Sequence, residues 1–128
     1  MTALVALTPI TLTPGGGSPT SLTAALAAAP WTSSNTGITF SNSGHEVVFV
    51  QTNSTGTSTV TSDIGTTVLG EGVASVVPGA AQALSTIAMY GPYQAQYDEP
   101  GSTNIVEVDF GTPLDIAAVV VVRIPGVI

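Results

Sequence analysis

Few residues in this chain have types and spacing that could do chemistry. The single histidine, His45, sits in the turn Ser43-Gly44-His45-Glu46 that leads into a β-branched run. Nucleophilic catalysis needs a Ser or Cys activated by a base. The chain has no cysteine and no Gly-x-Ser-x-Gly elbow, so His45 reads as a turn residue at a strand entry. Asp98 and Glu99 precede Pro100-Gly101, and Asp109 or Asp115 could join them in space as oxygen ligands for a cation. The spacing of a calcium loop is missing, and adjacent carboxylates before Pro-Gly read as a solvated loop. Two-carboxylate glycosidase chemistry needs a cleft that so short a chain has little room to build. Gly15-Gly16-Gly17 lacks the lysine and the following helix of a phosphate loop. The expectation is no catalytic residue, no metal site and no cofactor, and hence a structural or interaction protein, not an enzyme.

What remains is chemistry of contact. Trp31 follows Pro30, and Tyr90, Tyr93 and Tyr97 fall close together in Met89-Tyr90-Gly91-Pro92-Tyr93-Gln94-Ala95-Gln96-Tyr97. Buried aromatics anchor interfaces more often than other residue types. The same residues can plug the open ends of a small sandwich or form a sugar-binding platform. With Leu4, Leu7, Ile10 and Leu12 near the N-terminus, these four aromatics are the candidate interface residues.

Composition narrows the partners. Charged residues make up 7% of the 128-residue chain, and the formal net charge is −7. A typical globular domain carries about a quarter. The acidic residues Glu46, Asp63, Glu71, Asp98, Glu99, Glu107, Asp109 and Asp115 face one cation, Arg123. Neutralising phosphates needs a Lys/Arg patch, so nucleic acid is excluded as a direct partner. The apolar runs are too short to span a bilayer. The first ten residues lack a positive start and are broken by Thr and Pro9, which predicts no signal peptide and synthesis in a cytoplasm. Strands rich in Thr, Val and Gly with few charges at their edges invite pairing with other chains, so a partner or self-assembly is expected to protect them.

The elements that must position these residues are mainly strands. Residues 1–17 read as an extended N-terminal arm and glycine hinge, closed by Pro14-Gly15-Gly16-Gly17, with an ordinary edge strand carrying Pro9 on its unpaired side as the alternative. Residues 18–36 hold at most one short helix, with Ser18, Thr20 or Ser21 as N-cap, an Ala-Leu-Ala run and a stop at Pro30, or a loop. Residues 37–128 read as an all-β domain, a single β-sandwich or jelly roll. Its strands are expected at Gly37–Phe40, Glu46–Thr52, Thr57–Ile64, Val73–Val77, Gln82–Ala88, Asn104–Phe110 and Ile116–Ile124. Ser54-Thr55-Gly56 is expected as a hairpin turn and Val77-Pro78-Gly79 as a type II turn. In Asn104–Phe110, Val106, Val108 and Phe110 should face the core while Glu107 and Asp109 face water. Ile116–Ile124 shows no alternation and reads as covered on both sides, with Arg123 at its exposed end.

A resemblance carries the functional expectation further. The order of motifs from Gly37 to Ile124 resembles a family of small β-rich virion proteins encoded beside the major capsid protein in tailed phages, especially those of actinobacteria. An Asn-x-Gly turn feeds an aliphatic strand in Asn42-Ser43-Gly44-His45-Glu46-Val47-Val48-Phe49-Val50, and a Thr/Val element follows in Gly56-Thr57-Ser58-Thr59-Val60-Thr61. Then come Val77-Pro78-Gly79-Ala80, Gly91-Pro92-Tyr93, Val106-Glu107-Val108-Asp109-Phe110 and the terminal run Val119 to Ile124. The family's usual Lys-Asn after the first strand is replaced by Gln51-Thr52-Asn53, and the N-terminal third is unmatched. The resemblance implies a capsid decoration or cement protein, on the virion exterior, with the major capsid protein and itself, as a homotrimer, for partners. Another virion part, such as a head fibre base, neck or tail tip, shares these features. A carbohydrate-binding or adhesion module is the reading from a different class.

Overall fold

Short runs rich in Val, Ile and Thr cannot bury their alternate side chains alone, and here they do so by facing one another in two mixed sheets. The computed structural model describes residues 4–12, 21–29, 31–32, 34–53, 59–64, 77–83, 85–93 and 104–124. The strands are β1 (Leu4–Ala6), β2 (Ile10–Thr11), β3 (Gly37–Ser41), β4 (Glu46–Thr52), β5 (Thr59–Ile64), β6 (Val77–Ala83), β7 (Ile87–Tyr90), β8 (Ile105–Phe110) and β9 (Ile116–Arg123). One sheet runs β1-β3-β8-β5-β6 and the other β2-β9-β4-β7. The expected all-β class holds, with one α-helix, α1 (Leu22–Ala27), and one 3₁₀ turn (Pro113–Asp115) among the described residues.

The chain keeps changing sheets. Among the described strands, β5 and β6 alone are both consecutive and paired. The expected hairpin through Ser54-Thr55-Gly56 is therefore corrected: β4 and β5 lie in different sheets, and the register of β4 against β9 slips between Gln51 and Thr52 as β4 ends. Residues 54–56 themselves lie outside the described residues. The Val77-Pro78-Gly79 turn is also corrected. These residues open β6, with Pro78 opposite Asp63 beside a register irregularity in β5. A proline has no N–H for a ladder, but β6 is an edge strand, where that loss is tolerated. The expected strand Gln82–Ala88 is broken instead at Ser85, whose φ of 60° ends β6 and lets the chain cross to β7. Most of the expected strand Val73–Val77 lies outside the described residues.

Residues 4–12 of the expected arm are extended but run along the chain's own sheets, as two short edge strands in place of the single strand of the alternative. Leu4 to Ala6 pair in parallel with Gly37 to Thr39, and Ile10 and Thr11 pair in parallel with Val122 and Arg123. Pro9 lies between the two pairings, where the chain leaves one sheet for the other. The glycine hinge at 15–17 lies outside the described residues.

One core fills the space between the sheets. Ile38, Phe40, Val106, Val108 and Phe110 from one meet Val48, Val50, Ile116, Val119 and Val121 from the other, with Leu7, Trp31 and Tyr93 completing the cluster. The face assignment of β8 holds: Val106, Val108 and Phe110 are buried while Glu107 and Asp109 are half-buried on the outer side. The expectation for β9 holds too. Its second side, Ala118, Val120 and Val122, is covered by Leu26 of α1 with Ile10, Leu12 and Leu22 around it. Ser21 caps α1, accepting the backbone N–H of Ala24, and no residue of the helix is charged. No helix among the described residues is long and apolar enough to cross a membrane.

Candidate functional site

Several of the motif residues converge at one end of β4. Asn42 is buried, accepts the backbone N–H of Gly44 at 3.0 Å and donates to the carbonyl of Tyr93 at 3.1 Å. Gly44 can close this turn because its φ is +92°, in the left-handed region. Gly91, with φ +114°, packs so near β4 that a Cβ there would come 2.8 Å from the Glu46 carbonyl oxygen. The Asn-x-Gly turn and the Gly-Pro-Tyr element, far apart in sequence, therefore form one junction.

Glu46 lies at the centre of that junction and is fully buried. Its carboxylate accepts the backbone N–H of Ser43 at 2.6 Å, that of His45 at 3.2 Å, the Ser43 hydroxyl and the Nε–H of Arg123. Burial alone would raise its pKa, but the hydrogen bonds from Arg123 and Ser43 outweigh that and hold it below the usual glutamate range. Arg123 also reaches the Ser41 carbonyl at 3.3 Å, and its side chain is 32% exposed. The only cation of the chain is thus engaged within the fold, a pairing that neither residue's local sequence announces. His45 is exposed, its carbonyl accepting from Ile124. Among the described residues, no three of His, Cys, Asp and Glu come together as metal ligands. Asp109 lies on the outer sheet face and Asp115 is buried at the entry to β9, while Asp98 and Glu99 lie outside the described residues.

The aromatic candidates are turned inward. Trp31 meets Phe110 edge to face at 5.5 Å, and Tyr93 meets Phe40 at 5.6 Å. Tyr90 is half-buried and donates to Gln82 Oε1 at 2.9 Å, while Gln82 donates to the Val50 carbonyl at 2.9 Å and the Thr86 hydroxyl at 3.1 Å. Burial raises the pKa of both Tyr90 and Tyr93, so both keep their protons at neutral pH. These rings plug and brace the body, the alternative use the sequence left open. Leu7 is buried in the main core, Ile10 and Leu12 are half-buried beside α1, and Leu4 is 37% exposed. Tyr97 lies outside the described residues.

Four large hydrophobic residues that the sequence pattern did not mark are exposed among the described residues: Ile87 (49%), Met89 (71%), Leu114 (71%) and Ile124 (47%). Ile87 and Met89 project from the outer face of β7 beside Phe49 of β4. The signal was the short alternation Ile87-Ala88-Met89-Tyr90, hidden when residues 82–88 are read as one strand. Asn53 holds Leu114 near the same end, donating to its carbonyl at 3.2 Å while accepting from the Ser85 N–H at 2.9 Å. No family model, curated protein or solved structure matches this chain.

Proposed function

We propose that this chain is a structural virion protein that decorates and stabilises a tailed-phage capsid, binding the outside of the major capsid protein shell as an oligomer. In this reading the two sheets form a β-sandwich of jelly-roll kind. The observation that carries the proposal is the junction at Glu46. It unites the Asn42-Ser43-Gly44, Gly91-Pro92-Tyr93 and terminal-strand motifs of the resemblance, and it spends their polar groups on holding strands together. A body braced in this way suits a protein that works by contact. The N-terminal strands, tied to both sheets, belong to the rigid body, so the shell is met by the outer faces and not by residues 4–12 acting as a free arm.

Co-sedimentation with empty capsids of its own phage tests this. The expected result is saturable binding at a copy number set by the shell lattice. Binding confined to a single ring would place the chain at a neck or tail, and no binding would overturn the proposal.

A further inference from the structure

We infer that the depression at the end of β4, beside β7 and β9, is a binding site for a neutral sugar ring. A sugar bound there neither requires nor excludes the contact with a shell proposed above.

The depression has a volume of about 450 Å³. Small-molecule sites occupy roughly 300–1,000 Å³, so a ring of a few carbons and oxygens has room. Two departures from regular strand geometry border it. Gln51 pairs with Ala118 and Thr52 with Ile116, so Ala117 is one residue too many for the ladder and bulges from β9. Ser85 has a φ of 60°, and the chain turns there instead of continuing β6. Hydrogen bonds then fix the rim. The Ser85 N–H donates to the Asn53 carbonyl at 2.9 Å and the Thr52 N–H to the Thr86 carbonyl at 3.0 Å. The Thr86 N–H donates to the Thr52 hydroxyl at 3.1 Å. The hollow is thereby shaped before a ligand arrives, which lowers the cost of ordering it on binding.

The lining selects the ligand. Among the described residues no charged side chain borders the depression, and its polar groups are the amides of Gln51 and Asn53 and the hydroxyls of Ser85, Thr52 and Thr86. An anion or a metal ion finds no countercharge there, and the chain's net charge of −7 repels anions further. The Gln51 amide and the Ser85 hydroxyl have no partner among the described residues, and Asn53 spends only its Nδ2, on the Leu114 carbonyl at 3.2 Å. A wholly apolar ligand would strip water from these groups and leave them unpaired, at a cost in binding. Amides and hydroxyls both donate and accept, as the hydroxyls of a sugar do, so one ring can satisfy several of them together. Ile87, 49% exposed, and the exposed Ala117 supply an apolar strip for the C–H face of that ring.

Titration of the isotope-labelled full chain with glucose, galactose and N-acetylglucosamine, followed by NMR, tests the site. Saturable shifts with a millimolar Kd are expected at the backbone amides of Gln51, Asn53, Ser85 and Thr86 for one or more of these sugars. Glucuronate, a sugar of similar size with a carboxylate, should bind more weakly than glucose. Gln51→Leu and Ser85→Gly remove polar groups that hold nothing else in the described fold, and glycine adopts the positive φ of Ser85 readily. Each should keep the wild-type melting temperature and weaken sugar binding about threefold to tenfold, the equivalent of one hydrogen bond. Glu107→Gln, on the other sheet, should bind as the wild type does. No saturable shift at these amides with any of the three neutral sugars overturns the inference. So does glucuronate binding as tightly as glucose, or unchanged affinity in both Gln51→Leu and Ser85→Gly.

Discussion

Glu46 and Arg123 show how much one pair can decide in a chain with so few charges. Arg123→Ala leaves a fully buried carboxylate without its cation, and should cost about 3 kcal/mol in a denaturant titration. Glu46→Gln keeps the shape and leaves a partly solvated arginine, so it should cost less, about 1–2 kcal/mol. The pair also sets an acid limit. The folded pKa of Glu46 lies below the ordinary value of 4.5. Its stabilisation is therefore present in full above that value and is lost as the pH falls through the lower folded one. Acid titration of Glu46→Gln should lack this part of the decline, and an unchanged acid limb would contradict the assignment. Little of this was legible in the sequence, because Glu46 opens a strand and Arg123 ends one, and only the register of β4 against β9 places them opposite each other. His45, the residue with the most conspicuous chemistry, is exposed next to the pair.

Elements with an unbroken pattern could be read directly, as the alternation in β8 and the uniform apolarity of β9 illustrate. Helix α1 was legible from its cap and its Ala-Leu run, and Ser21→Ala should cost about 1 kcal/mol in thermal unfolding if that cap holds the helix against β9. Strand boundaries around Pro78 and Ser85 were not legible. Proline and glycine in Val77-Pro78-Gly79 signal a turn locally, and only the edge position of β6 makes a strand tolerable there. Gly37 carries a similar long-range requirement. A Cβ there would lie 2.5 Å from the Val108 carbonyl oxygen and 2.7 Å from Asp109 Oδ1, so Gly37→Ala should push β3 from β8 and lower the melting temperature. A melting temperature equal to the wild type's would show that β8 can yield.

At the scale of the molecule, the N-terminal strands and the β6–β7 crossing hold the sheets together. Residues 4–12 tie an edge of each sheet, and the β6–β7 crossing ties the other pair of edges through Gln82, Thr52 and Thr86. The described aromatic candidates, Trp31, Tyr90 and Tyr93, are used to fill this body, since a core between two sheets leaves open ends that large side chains close. The exposed large hydrophobic residues among those described are instead Leu4, Ile87, Met89, Leu114 and Ile124. In the proposed decoration role, a body braced in this way joins neighbours on a shell and strengthens it. The most direct test is the temperature at which capsids come apart when saturated with this protein and when stripped of it. Saturated shells should come apart at the higher temperature. Equal temperatures for saturated and stripped shells would contradict the decoration role.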